Sequence, residues 1–85
     1  MTLTWTDSAL EDLQCWADKE PRKIKRIIQL SLATCQQPTS GIGRPEPLRH
    51  GYQGYWSRRI DQEHRLVYCF DQQSVTVIQC RYHYQ

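Results

Sequence analysis

No stretch of this 85-residue chain stays apolar long enough to cross a bilayer, so a membrane-spanning helix is excluded and no membrane partner is expected. Paired cysteine motifs are missing too. Cys15, Cys35, Cys69 and Cys80 lie 20, 34 and 11 positions apart, and none of these is a CxxC or zinc-ligand interval. With no signal peptide ahead of them, the expectation is a cytoplasmic protein with reduced, mostly buried thiols. His50, His64 and His83 can be drawn round a metal with one cysteine, but their spacing does not ask for one, and the expected metal and cofactor content is none. Repeats and linkers are absent as well, so residues 1–85 read as a single domain. A chain this short buries a little over roughly 60% of the surface its unfolded form exposes, which leaves a modest core.

Negative charge is scarce where positive charge gathers. The net charge of +2 hides a segregated pattern: "RKIKR" (22–26) holds four cations. Residues 44–65 hold Arg44, Arg49, Arg58, Arg59 and Arg65 against only Glu46, Asp61 and Glu63, with His50 and His64 able to add more. A basic surface of that kind points to a polyanion such as nucleic acid. The alternative is a solvated charged face with no partner.

What is present has a clear order. "TLTW" (2–5) alternates like a short strand, and Ser8 with Glu11 makes a capping-box pattern, with Thr6 and Asp7 as rival caps. Ala9, Leu10, Leu13, Trp16 and Ala17 form one apolar helical face. Pro21 can occupy the first position of a second helix, whose stripe is Ile24, Ile27, Ile28, Ser31 and Cys35, widened by Leu30 and Leu32. The cations of "RKIKR" fall mostly off that stripe, towards solvent or a partner. "QQPTSGIGRPEP" then stops the helix with three prolines and two glycines. Three strands follow at 55–60, 65–70 and 75–84, with turns at "DQEH" and "DQQS". Strand, two helices, then strands implies an α+β domain, with the two helices packed on one face of a mainly antiparallel sheet. The other face is free to be polar and to hold a site.

That half of the chain contains the parts of a metal-free RNA-cutting reaction. A base must take the 2′ proton, an acid must protonate the leaving 5′ oxygen, and cations must hold charge on phosphorus. Glu46 suits the base, His83 the acid, and arginines the charge, since a guanidinium fork can hold two phosphate oxygens. Tyr84 can stack on a base and so set the approach angle. Plainer roles stand beside these. Glu46, between two prolines, can simply pair with Arg44 or Arg49. Arg58 and Arg59 leave a strand on opposite faces, so only one enters a cleft and the other is expected as a surface charge. His83 can be structural, and Trp5, Trp16 and Trp56 read as packing residues. Arg59 and Arg65 share a face only if the loop between them holds three or five residues, or a bulge shifts the count; such an irregularity is expected at 61–64.

"GIGRPEPLRHGYQGYWSRRIDQEHRLVY", with "CRYHY" near the end and "LTWTDSALEDLQCW" at the start, resembles the YoeB/Txe toxins of the RelE/ParE superfamily over nearly the whole chain. The resemblance implies a fold like that of the small microbial ribonucleases. It implies a type II toxin that cuts mRNA in the ribosomal A site and is silenced by a cognate antitoxin protein; a homodimer is one oligomeric form left open. Position by position it implies Glu46 as general base, His83 as general acid, Arg65 with Arg59 on the scissile phosphate, and Tyr84 in substrate positioning. Arg44 and Arg49 stand where lysine is common, and Gln85 follows the usual final His-Tyr. Arg49 keeps the charge at the phosphate but changes its geometry. The rival readings are a gyrase poison of the ParE kind and a non-catalytic nucleic-acid-binding module, neither of which needs an acid–base pair.

Overall fold

In the computed structural model, which describes residues 1–49 and 54–82, the chain runs β1 (Thr2–Trp5), α1 (Asp7–Lys19), α2 (Arg22–Gln36), β2 (Glu46–Pro47), β3 (Tyr55–Arg59), β4 (Arg65–Phe70) and β5 (Ser74–Gln79). Thr6 wins the competition to cap α1. Its backbone is extended, and its hydroxyl accepts from the Ala9 N–H at 3.1 Å, while Asp7 puts a negative charge in the first turn. Pro21 stands just ahead of α2 with φ already at −57°, where its missing N–H costs nothing. At the far end Gln37, the residue before Pro38, leaves helical backbone as that proline requires.

The five strands form one sheet in the order β1-β5-β4-β3-β2; β1 runs parallel to β5 and every other pair is antiparallel. Both helices cover one face, as the α+β reading requires. Leu66, Tyr68, Val75 and Val77 meet Ala9, Trp16, Ile27 and Leu30 in the core, with Leu3, Trp5, Trp56 and Phe70 packed around it. An extra residue in β5 shifts the ladder, since Val67 faces Gln79 while its neighbour Tyr68 faces Val77.

Four details depart from the sequence reading. The buried line of α2 is Ile27, Leu30, Ser31 and Thr34, which turns Ile28 and Leu32 outward, as Leu10 is on α1. Two hydroxyls fit in that line because Ser31 and Thr34 donate back to the carbonyls of Ile27 and Leu30, at 2.8 and 2.7 Å. The last strand stops at Gln79, so residues 80–82, expected within it, lie beyond its end. Within "RKIKR", Lys23 and Arg26 turn towards the sheet: Lys23 pairs with Asp61 at 3.1 Å and Arg26 donates to the Arg59 carbonyl.

The fourth departure is Arg58. It is fully buried, not a surface charge, because β3 sends it into the helix-covered face. There it donates to the carbonyls of Gln37, Ser40 and Ile42, and its guanidinium lies 5.8 Å from the centre of the Tyr68 ring. One cation thus closes the C-terminal end of α2 and the turn after it. Gly43, in the same turn, has φ +83°, and a Cβ there would come 2.5 Å from Leu30 Cδ2, so a larger residue would be strained and would displace Leu30.

Candidate active site

The face of the sheet away from the helices is built by strand register. Residues directly opposite one another share a face. Glu46 pairs with Ser57, Ser57 with Val67, and Arg59 with Arg65, so carboxylate, hydroxyl and two guanidinium-bearing residues come to one side. The loop that allows this, 60–64, holds five residues, the odd count the face-sharing argument calls for. Asp61 ties it together by accepting from the N–H groups of Glu63 and His64 at 2.9 and 2.7 Å. Burial pushes the Asp61 carboxyl up, but those two amides and the Lys23 ammonium outweigh it and hold the group below the usual carboxylate value.

An open cleft of about 390 Å³ lies on this face, lined by Glu46, Leu48, Arg49, Ser57, Arg65 and Val67 among others. Arg65 is its centre. Its Nη1 donates to Glu46 Oε1 at 3.0 Å and to Ser57 Oγ at 3.3 Å. The Arg65 side chain is only 19% exposed whereas that of Glu46 is 58% exposed, so the cation is set into the sheet face and the base candidate stands towards solvent. A carboxylate already held against a guanidinium marks where a phosphate oxygen would be received.

The chain approaches this region a second time after β5. Cys80 is anchored at both peptide groups: its N–H donates to Asp12 Oδ2 at 3.0 Å and its carbonyl accepts from Trp16 Nε1 at 2.7 Å. Burial, helped by Asp12, pushes the Cys80 thiol up to about 12. Tyr82, with φ +59°, is then held by Nδ1 of His64, which accepts its N–H at 2.7 Å, and by the Arg65 N–H, which donates to its carbonyl at 3.1 Å.

Of the site residues expected from sequence, Glu46, Arg65 and Arg49 line one cleft. Arg59 is exposed on the same face, opposite Arg65, but outside that lining. His83 and Tyr84 lie outside the described residues, as does His50. Among the described residues no three His, Cys, Asp or Glu side chains gather as a metal site. Sequence reasoning missed Ser57 and His64. Alternation from Arg59 would have found Ser57, since i and i−2 share a face. For His64 the signal was weaker: a polar residue beside Arg65 at the end of the turn.

Residues 5–84 match the family model for the YoeB-like toxin of bacterial type II toxin–antitoxin systems. Toxin YoeB of Escherichia coli strain K12 is 43% identical over 84 residues, covering 99% of this chain and 100% of that protein. A YoeB dimer from Staphylococcus aureus has a TM-score of 0.91 at 35% identity, over 99% of this chain and 98% of the other. YoeB in the heterotetrameric YoeB–YefM toxin–antitoxin complex from Staphylococcus aureus gives a TM-score of 0.88 at the same identity and coverage.

Proposed function

Since the chain belongs to the YoeB-like toxins of bacterial type II toxin–antitoxin systems, we propose that it is a cytoplasmic, ribosome-associated endoribonuclease that cuts mRNA without a metal. The observation that supports this most directly is the 3.0 Å contact of Glu46 with Arg65 in an open cleft shared with Arg49. A scissile phosphate takes the place of Glu46 on Arg65. The freed carboxylate then removes the 2′ proton as the 2′ oxygen attacks phosphorus. The new O2′–P bond and the broken P–O5′ bond leave a 2′,3′-cyclic phosphate, and His83 protonates the departing 5′ oxygen. Arg65, steadied by Ser57, and Arg49 stabilise the charge on phosphorus, Arg59 holds a flanking phosphate, and Tyr84 stacks on a base.

Translating ribosomes incubated with the protein should yield mRNA fragments ending in 2′,3′-cyclic phosphate. Glu46→Gln and Arg65→Ala should each slow cleavage by about 10²–10⁴-fold. Glu46→Gln should keep the melting temperature of the parent, because its side chain is 58% exposed on the open face, and Arg65→Ala should remain folded. Growth arrest with mRNA left intact would instead point to a protein poison of the ParE kind.

A cognate antitoxin completes the reading. An acidic, partly disordered segment that folds on the basic cleft would cover it, and the Staphylococcus aureus relative solved with YefM supports such a partner. The dimeric relative supports a homodimer. The unmutated chain should express well only together with its antitoxin; free expression with normal growth would count against the toxin reading.

A further inference from the structure

His64 has no part in the chemistry described above, yet its side chain is held on several sides. Its residue is only 9% exposed. The Trp16 ring meets it edge-on with centroids 4.7 Å apart, and the Tyr82 ring lies 4.8 Å away on a tilt. Its carbonyl accepts from the N–H groups of Ile60 and Asp61, and its own N–H goes to Asp61. The imidazole therefore has a fixed place, a fixed plane and a fixed tautomer. Since Nδ1 accepts a backbone N–H, the ring proton is on Nε2, which faces Glu63 Oε1 at 3.5 Å.

The group that Nδ1 holds is the peptide of Tyr82, which precedes His83 in sequence. Tyr82 adopts left-handed backbone, which a residue with a side chain keeps only when its surroundings enforce it. Here the enforcement comes from adjacent residues, the last of the 60–64 loop and the first of β4. His64 takes the Tyr82 N–H and Arg65 gives its own N–H to the Tyr82 carbonyl. The same two-residue unit that presents the Arg65 guanidinium to the cleft thus grips the last peptide before His83. Arg81 adds a lid, with its guanidinium 4.7 Å above the Tyr82 ring.

We propose that His64 is a positioning residue for the nuclease reaction, holding the Tyr82 peptide through Nδ1 and so fixing the point from which the chain continues to His83, in constant relation to Arg65. This rests on the nuclease reading above. Acid–base catalysis depends on placement at the sub-ångström scale, so loosening that point lowers the rate of the chemical step and leaves mRNA binding, which Arg49, Arg59 and Arg65 supply, almost untouched.

The test uses the side chain's geometry. Asparagine at 64 can present its Oδ1 where Nδ1 now accepts; leucine offers no acceptor, and glutamine reaches towards the Nε2 position instead. His64→Asn should cleave mRNA on ribosomes close to the unmutated rate. His64→Leu should lose about 10–100-fold in single-turnover rate, with its ribosome affinity nearly unchanged. Hydrogen exchange at the Tyr82 amide should be slow in the parent and in His64→Asn, and fast in His64→Leu. If His64→Leu does not fold, His64→Gln is read in its place. Equal rates for asparagine and leucine, or a loss that lies entirely in affinity, would overturn the proposal while leaving the nuclease reading standing. A parent protein that cuts no mRNA would overturn both.

Discussion

Arg58 is met in the core by three carbonyl oxygens rather than by a carboxylate. The end of α2 supplies part of that negative potential, because the last turn of a helix leaves carbonyls unpaired and carries the negative end of its dipole. Removing the guanidinium takes the donor from all three oxygens at once and leaves a gap where a fully buried side chain stood. Arg58→Leu should therefore destabilise the domain by about 3–5 kcal/mol, read as a lower urea midpoint at unchanged slope. Lysine should not rescue it, since one ammonium on a flexible stem cannot span three carbonyls set by a planar fork. Neighbouring positions in one strand thus divide the work: Arg58 secures the turn that leads to Glu46, and Arg59 faces the cleft side. "SRRI" shows that two arginines must part, but not which side is dry. Only the packing of α2 over β3 decides that, and no local pattern at 58 reports it.

At the scale of elements, the 60–64 loop joins the two halves of the site, and its stability should be pH-dependent. Asp61 is held below its ordinary value of 3.8, so the charged form favours the folded state. That stabilisation is complete above the ordinary value and is lost as pH falls through the folded one. Asp61→Asn keeps an acceptor for the two loop amides but removes the attraction to Lys23. It should melt below the parent at neutral pH, and the gap should close as the pH is lowered past 3.8. Thermal melts of both proteins across that range would check it. An irregular or odd-numbered loop here was expected in advance, of three or five residues or with a bulge, because Arg59 and Arg65 share a face only on those terms; the choice of five was not legible. The two helices and strands β1, β3, β4 and β5 were legible because periodicity reports which side is buried, whereas the two-residue β2, inside the stretch read as a helix stop, was not. The end of β5 was not. "QCRYHY" keeps alternating after Gln79, and what stops the strand is the anchoring of Cys80 by Asp12 and Trp16, residues more than sixty positions away. The α2 stripe was misread at Ile28 and Leu32, which are apolar but exposed, and at Thr34, which is polar but satisfied within the helix.

For the molecule as a whole, Cys80 is a built-in reporter of opening. It is fully buried and its thiol is raised to about 12, so almost none of it is thiolate at neutral pH while the fold is closed. Alkylation of Cys80 should proceed at the rate of global unfolding, slower than at Cys15, Cys35 or Cys69, which are partly accessible. Mass spectrometry of labelled peptides over time would show it; equal labelling of all four would mean that this end of the sheet opens locally. The position of β5 bears on how such a protein is made. β5 lies between β1 and β4, and among the described residues β1 has no other neighbour in the sheet. A nascent chain that has left the ribosome only as far as β4 carries its first strand with nothing to pair with. Its Asp12 and Trp16 still wait for the peptide groups of Cys80. The sheet is therefore closed from its middle by a strand that follows β4 in sequence, and β1 joins it only once β5 has been made.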